Sequence, residues 1–117
     1  MEKKNTYFVD IDGTIFIYRK FETYTETDAQ VIKESKQFLQ RVRDEGHTII
    51  LTTARPKSLR LHTEYELDVN NIPYDELIME IGRGPRYLIN DVDPKKPDQL
   101  RAIGWNLVRD AGIKGNK

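Results

Sequence analysis

The sequence predicts an α/β fold, a single Rossmann-like domain on a five-stranded, mostly parallel sheet with helices on both faces. Two observations lead there. Short β-branched runs alternate with longer stretches of helical periodicity, and one run, Thr48 to Thr53, is nearly continuous β-branched sequence, the pattern of a strand buried on both faces. Size is the third: 117 residues with 38% apolar content support one core, so residues 1–117 are read as one domain.

Taken in order, Thr6 to Ile11 is a β-branched and aromatic run closed by Asp12-Gly13, which predicts a first strand ending in a loop. Ile15 to Thr27 mixes Ile15, Phe16, Ile17 and Tyr18 with charges, then Phe21 and Tyr24, and suggests a short exposed hairpin flap. From Asp28 to Glu45, Val31, Ile32, Phe38, Leu39 and Val42 recur at helical spacing, with Thr27 or Asp28 as the start and Gly46 as the stop. His47 to Thr53 is the second strand. Pro56 opens a second helix that Asn70-Asn71 closes ahead of Ile72-Pro73. Leu77 to Ile81, Tyr87 to Asn90 and Trp105 to Val108 are predicted as strands three to five, with a brief helix from Asp98 to Ala102. One connection is short: only Gly82 to Arg86 separate strands three and four, too few for a crossover helix, so either an extended loop makes the crossing or the third strand is shorter than Leu77 to Ile81.

Composition narrows the function. Nineteen basic residues balance nineteen acidic ones, so no global field draws the chain to nucleic acid or an anionic membrane. Absence of cysteine removes thiolate chemistry and fits a reducing cytoplasm, the expected location. The start, Met1-Glu2-Lys3-Lys4, is followed by an apolar run cut by Asp10 and Asp12, which resembles neither a leader nor an anchor. No run approaches the ~20 apolar residues that span a bilayer.

Chemistry-bearing residues fall at predicted carboxyl ends of strands: Asp10 and Asp12 after the first, Thr52 and Thr53 after the second, Asn90, Asp91 and Asp93 after the fourth. In open parallel sheets ligands bind at that edge. Gathered carboxylates call for a cation, and an all-oxygen donor set favours Mg²⁺. With the charge offset, a carboxylate such as Asp10 can attack phosphorus, and one two residues on, Asp12, can protonate the leaving oxygen and then activate water.

Asp10-Ile11-Asp12-Gly13-Thr14 resembles the D-x-D-x-T motif of haloacid dehalogenase superfamily phosphatases, and Leu51-Thr52-Thr53-Ala54-Arg55 and Tyr87-Leu88-Ile89-Asn90-Asp91 resemble that family's second and fourth motifs. The resemblance implies sheet order 3-2-1-4-5, a small flap after strand one, Asp10 as nucleophile and metal ligand, and Asp12 as acid/base with its carbonyl on the metal. It further implies Thr53, with Thr52 as fallback, on phosphate, Asp91 as metal ligand with Asn90 beside it, Asp93 nearby, and Mg²⁺ as cofactor. The family's third motif, a basic residue near strand three, falls to Arg83 by position, with Arg86 the alternative at the start of strand four. Neither interval where the family inserts a cap has room for one, so the resemblance implies a capless, open site and a homo-oligomer as a possible source of cover.

Each feature has a plainer reading. Asp10 to Thr14 could be an acidic turn, Thr52 and Thr53 ordinary strand residues, Asn90 to Pro94 a turn, Arg83 a solvated loop residue. Convergence at one edge favours the site. Arg55, Lys57 and Arg60 either attract a phosphorylated substrate or form a solvated helix face. His47 and His62 read as structural, and Tyr7, Phe8, Phe38 and Trp105 as core. Tyr18, Phe21 and Tyr24 pack the hairpin or line the entrance. The expected activity is hydrolysis of a small phosphomonoester such as a sugar phosphate, through an aspartyl-phosphate. Two alternatives stand beside it: action on polynucleotide 3′-phosphates, since Arg55 to Thr63 loosely resemble such enzymes, and a phosphate-binding module without turnover.

Overall fold

Three strands and two helices make up the body of the computed structural model, which describes residues 4–114. Met1 to Lys3, part of the segment on which the argument against a leader rests, lie outside the described residues. Strand β1 (Thr6–Asp10) pairs in parallel with β2 (Thr48–Thr52), and β2 with β3 (Glu76–Ile78), giving the order β1-β2-β3. Register sets Asp10 opposite Thr52 and Thr52 opposite Ile78, so the carboxyl ends of all three strands lie level.

Helix α1 (Lys33–Asp44) buries Ser35, Phe38, Leu39 and Val42, the i, i+3, i+4, i+7 face of its sequence. It begins later than the periodicity suggests. Ile17 N–H bonds to the Gln30 carbonyl and Ile32 N–H to the Ile15 carbonyl, which draws residues 30–32 into an antiparallel pairing with 15–17 and leaves Thr27 and Asp28 outside the helix. The predicted hairpin within 15–27 is therefore a closed loop from 15 to 32 with a 3₁₀ turn at Phe21–Thr23. Gly46, at φ +88°, follows the Glu45 C-cap, and its N–H reaches the Arg43 carbonyl. The second helix enters through a 3₁₀ turn at Lys57–Leu59, continues as α2 (Arg60–Val69), and ends at Asn70 and Asn71, the latter at φ +56°.

Tyr7, Val9, Ile49, Leu51 and Leu77 share one sheet face and form a single core with Phe38, Leu39 and Val42 of α1 and Leu67 of α2. Both helices thus cover the same face, as expected when consecutive parallel neighbours are joined by crossovers of one hand. The opposite face, with Phe8, Ile50 and Ile78, carries no helix among the described residues. Phe8 is 53% exposed and is not core. Helices on both faces, and full burial of β2 on both, are accordingly corrected; β2 alternates between buried and half-buried residues.

The larger correction concerns the C-terminal third. Tyr87 to Asn90 and Trp105 to Val108 form no strands, and Asp98 to Ala102 no helix, so among the described residues the sheet has three strands rather than five in the order 3-2-1-4-5. The physical reason lies in the connection. After β3, Glu80 N–H bonds to the Arg55 carbonyl and Ile81 N–H to the Thr53 carbonyl, which holds the chain at the carboxyl edge of the sheet. No length remains to return to the far end of β1 and start a parallel strand. Residues 87–104 extend into solvent, and the chain rejoins the body where Trp105, itself half exposed, meets Tyr7 and Phe38 at ring separations of 6.4 and 5.8 Å. Among the described residues no cap is present, and no helix is long and apolar enough to cross a membrane.

Candidate active site

Asp10 is the last residue of β1 and Asp12 sits just beyond it, where Gly13 reverses the chain. The reversal needs glycine: φ is +91°, and an added Cβ would lie 3.2 Å from Cγ of Arg109. Gly13 N–H bonds to the Phe16 carbonyl at 2.7 Å, and the turn brings Thr14 Oγ1 to 3.3 Å from Asp10 Oδ2.

A cavity of about 130 Å³ opens here, lined by Asp10 and Asp12, by Thr53, Ala54 and Arg55 after β2, by Tyr18 and Tyr24 of the flap, and by Arg83 and Arg86. Five of the six residues anticipated from sequence therefore come together. Asp91 does not: it lies in the exposed segment, outside the cavity lining. Arg83 and Arg86 both reach the cavity, and Arg86 is shaped by its own loop through a 3.2 Å bond to the Gly84 carbonyl. Thr53, buried, accepts the Arg55 backbone N–H on Oγ1 at 3.1 Å, which leaves its hydroxyl proton to donate to an anion.

Asp10 remains partly open to solvent, yet its pKa is raised, first by desolvation and then by the Asp12 charge. Arg86 and the Thr14 hydroxyl offset part of this rise. Asp12 is held otherwise. Arg55 grips it bidentately, Nε to Oδ2 at 2.9 Å and Nη2 to Oδ1 at 2.8 Å, and the Tyr24 hydroxyl adds a third hydrogen bond. A carboxylate has about four acceptor positions, so about one is left for a proton.

Arg55 is not a solvated helix residue: it is 1% exposed and lines the cavity. Its Nη1 bonds Thr63 at 3.0 Å and Glu66 at 2.9 Å, and its guanidinium lies 4.3 Å from the centre of the Tyr24 ring. Burial works against its charge, but the bonds to Asp12 and Glu66 outweigh burial and raise its pKa. Burial and the Asp12 charge push the Tyr24 hydroxyl up to about 12, which keeps it a donor. Glu66 is pushed up by burial and pulled down further by Arg19 and Arg55, for a net lowering. His62 Nε2 lies 2.8 Å from the Tyr24 carbonyl and 3.2 Å from Glu66, two acceptors, so that nitrogen carries the proton. This buried network escaped the sequence reading. No local sequence pattern reports it, because its bonds join Asp12 and Tyr24 to Arg55, Thr63 and Glu66 across distant positions.

A divalent cation is tested against these donors. Asp10 offers a carboxylate and Asp12 its carbonyl, while the Asp12 side chain is committed to Arg55 and Tyr24. Among the described residues no three His, Asp or Glu side chains gather to hold a metal ion. Mg²⁺ keeps several of its waters and needs one or two carboxylates, so Asp10 and the Asp12 carbonyl at the cavity are donors of the right kind for it.

Parallel α/β layering with paired carboxylates after its first strand is the architecture of a class of hydrolases. The sequence profile of the haloacid dehalogenase-like hydrolases matches residues 7–78, more than half of the chain, which belongs to that family. Among solved structures, one of a Pnkp1/Rnl/Hen1 complex is similar with a TM-score of 0.59 at 24% identity, over 72% of this chain and 30% of that one. A structural-genomics target from Vibrio cholerae is similar with a TM-score of 0.55 at 18% identity, over 82% of this chain and 89% of that one. The chain thus spans under a third of the Pnkp1/Rnl/Hen1 component it resembles. No curated protein matches it significantly.

Proposed function

We propose that the protein is a magnesium-dependent phosphomonoester hydrolase working through phosphorylated Asp10, on a small phosphorylated metabolite such as a sugar phosphate. One observation carries the reading: Asp10 and Asp12 face one cavity with Thr53, Arg83 and Arg86 around it. Asp10 attacks phosphorus, the Thr53 hydroxyl and the two arginines hold the phosphoryl oxygens, and Asp12 protonates the leaving oxygen at its remaining acceptor position and later takes a proton from water. Arg55 and Tyr24 fix the plane of the Asp12 carboxylate. Mg²⁺, when bound, would offset phosphate charge; Asp10, the Asp12 carbonyl and Asp91 are its proposed ligands.

At about 130 Å³ the cavity is well below the roughly 300–1,000 Å³ of pockets that enclose a whole ligand, so it takes the phosphoryl group and leaves the rest of the substrate outside. That openness also supports a second reading, a strand end bearing a 3′-phosphate, in line with the likeness to a component of an RNA repair complex. Balanced charge favours the small substrate.

With a panel of phosphomonoesters that includes a 3′-phosphorylated oligonucleotide, Asp10→Asn is expected to abolish phosphate release by at least roughly a thousandfold. Phosphate label on Asp10 should be trapped in the wild type. Near-normal turnover by Asp10→Asn would refute the mechanism, and preference for the oligonucleotide would select the second reading.

A further inference from the structure

The strand that ends in Asp10 is paired on one side only. Among the described residues β1 has β2 as its sole strand partner, and its other edge runs beside the uncovered face of Phe8. Residues 87–104 present the opposite defect. Tyr87 and Ile89 are 83% and 88% exposed, and Leu100 and Ile103 are exposed as well, on a segment whose β-branched and aromatic start suits a strand. Its two ends are anchored, by Arg86 at the cavity and by Trp105 against Tyr7 and Phe38. The middle gives the molecule an extent of 53 × 29 × 24 Å and a radius of gyration of 15.2 Å, against roughly 13–14 Å for a compact chain of this length.

The arm and the edge of one chain are mismatched in direction. Arg86 lies beside Asp10, at the carboxyl end of β1, so a strand continuing along that chain's own β1 would run antiparallel. It would carry Asp91 on the order of 13–17 Å away from Asp10. A strand entering from the other end runs parallel and brings Asp91 to the carboxyl edge. An arm from a second copy has that freedom.

We propose that two copies exchange residues 87–104, each laying Tyr87 to Asn90 in parallel along the open edge of the other's β1 and delivering Asp91 to the other's Asp10 and Asp12. The exchange is reciprocal, closes with two-fold symmetry and covers the open edge of β1 in both copies. It also adds a third carboxylate beside Asp10 and Asp12 of each cavity. The Asp91 role rests on the function proposed above; the pairing rests on the fold alone.

Chains carrying Asp10→Asn and Asp91→Asn, each with a different tag, are co-expressed and purified through both tags. A mixed dimer of twice 13.7 kDa is expected, with about half the wild-type activity, because one of its two sites is intact while each parent alone is inactive. A captured dimer without activity, or no captured dimer, overturns the exchange. Independently of catalysis, Phe8→Cys with Leu88→Cys in one chain, otherwise free of cysteine, should oxidise to a covalent dimer. A ring-closed monomer overturns it. An active Asp91→Asn parent beside a covalent dimer would sink the role given to Asp91 and leave the pairing standing, whereas an inactive Asp91→Asn monomer would sink the pairing and leave that role.

Discussion

Arg55 joins the reacting end of the site to the interior. Lysine in its place keeps the charge but cannot hold Asp12 bidentately. With Asp12 as the proposed acid/base, Arg55→Lys is expected to lower kcat by about a hundredfold with KM changed little, since misplacing that group costs far more in the transition state than in binding. Steady-state kinetics beside a melting curve separate this from plain destabilisation. Glu66 carries the pH dependence. Its folded pKa is lowered, so between the folded and unfolded values the unfolded chain binds more protons. Its stabilisation is complete above the unfolded value and fades as pH falls through the folded one. Asp10, with a raised pKa, has the opposite sign: stability falls as pH rises through its window. Denaturant titrations of Glu66→Gln should show a loss of about 3–5 kcal/mol at neutral pH, from removing the carboxylate that Arg19 and Arg55 share and leaving Arg55 with Asp12 alone. The difference from wild type should shrink below about pH 4. Asp10, Asp12 and Thr53 were legible because each closes a local strand pattern. Arg55 to Asp12 is a contact across 43 positions, and no local pattern reports it.

Among the elements, α1 owes its placement to Ser35 as much as to its apolar face. The buried Ser35 hydroxyl donates to the Thr14 carbonyl and accepts from Ile113 N–H, tying the helix start to the loop behind Asp10 and Asp12 and to the chain's return. Ser35→Ala should cost about 1–3 kcal/mol by leaving both partners unsatisfied, with a fall in melting temperature as the readout. Helices α1 and α2 were legible from periodicity and stop signals, because both properties are carried by neighbouring residues. Tyr87 to Asn90 has the composition of a strand, but strand propensity says nothing about where a partner edge lies. The short Gly82 to Arg86 connection left either an extended crossing loop or a shorter third strand, and β3 is the shorter one, Glu76–Ile78.

At the scale of the molecule, three strands, one covered face and a projecting arm leave more apolar surface in water than a closed domain would. The open edge of β1 sets a kinetic condition on folding. Residues 6–78 can reach their topology unimolecularly, since their contacts link neighbours in the chain, but filling that edge from a second chain is a bimolecular step whose rate scales with concentration. Dilute refolding would therefore stall at a species with native helices and a bare strand. At high concentration the same edge becomes a template for indiscriminate β pairing, so recovery of active protein should peak at an intermediate concentration and fall on either side.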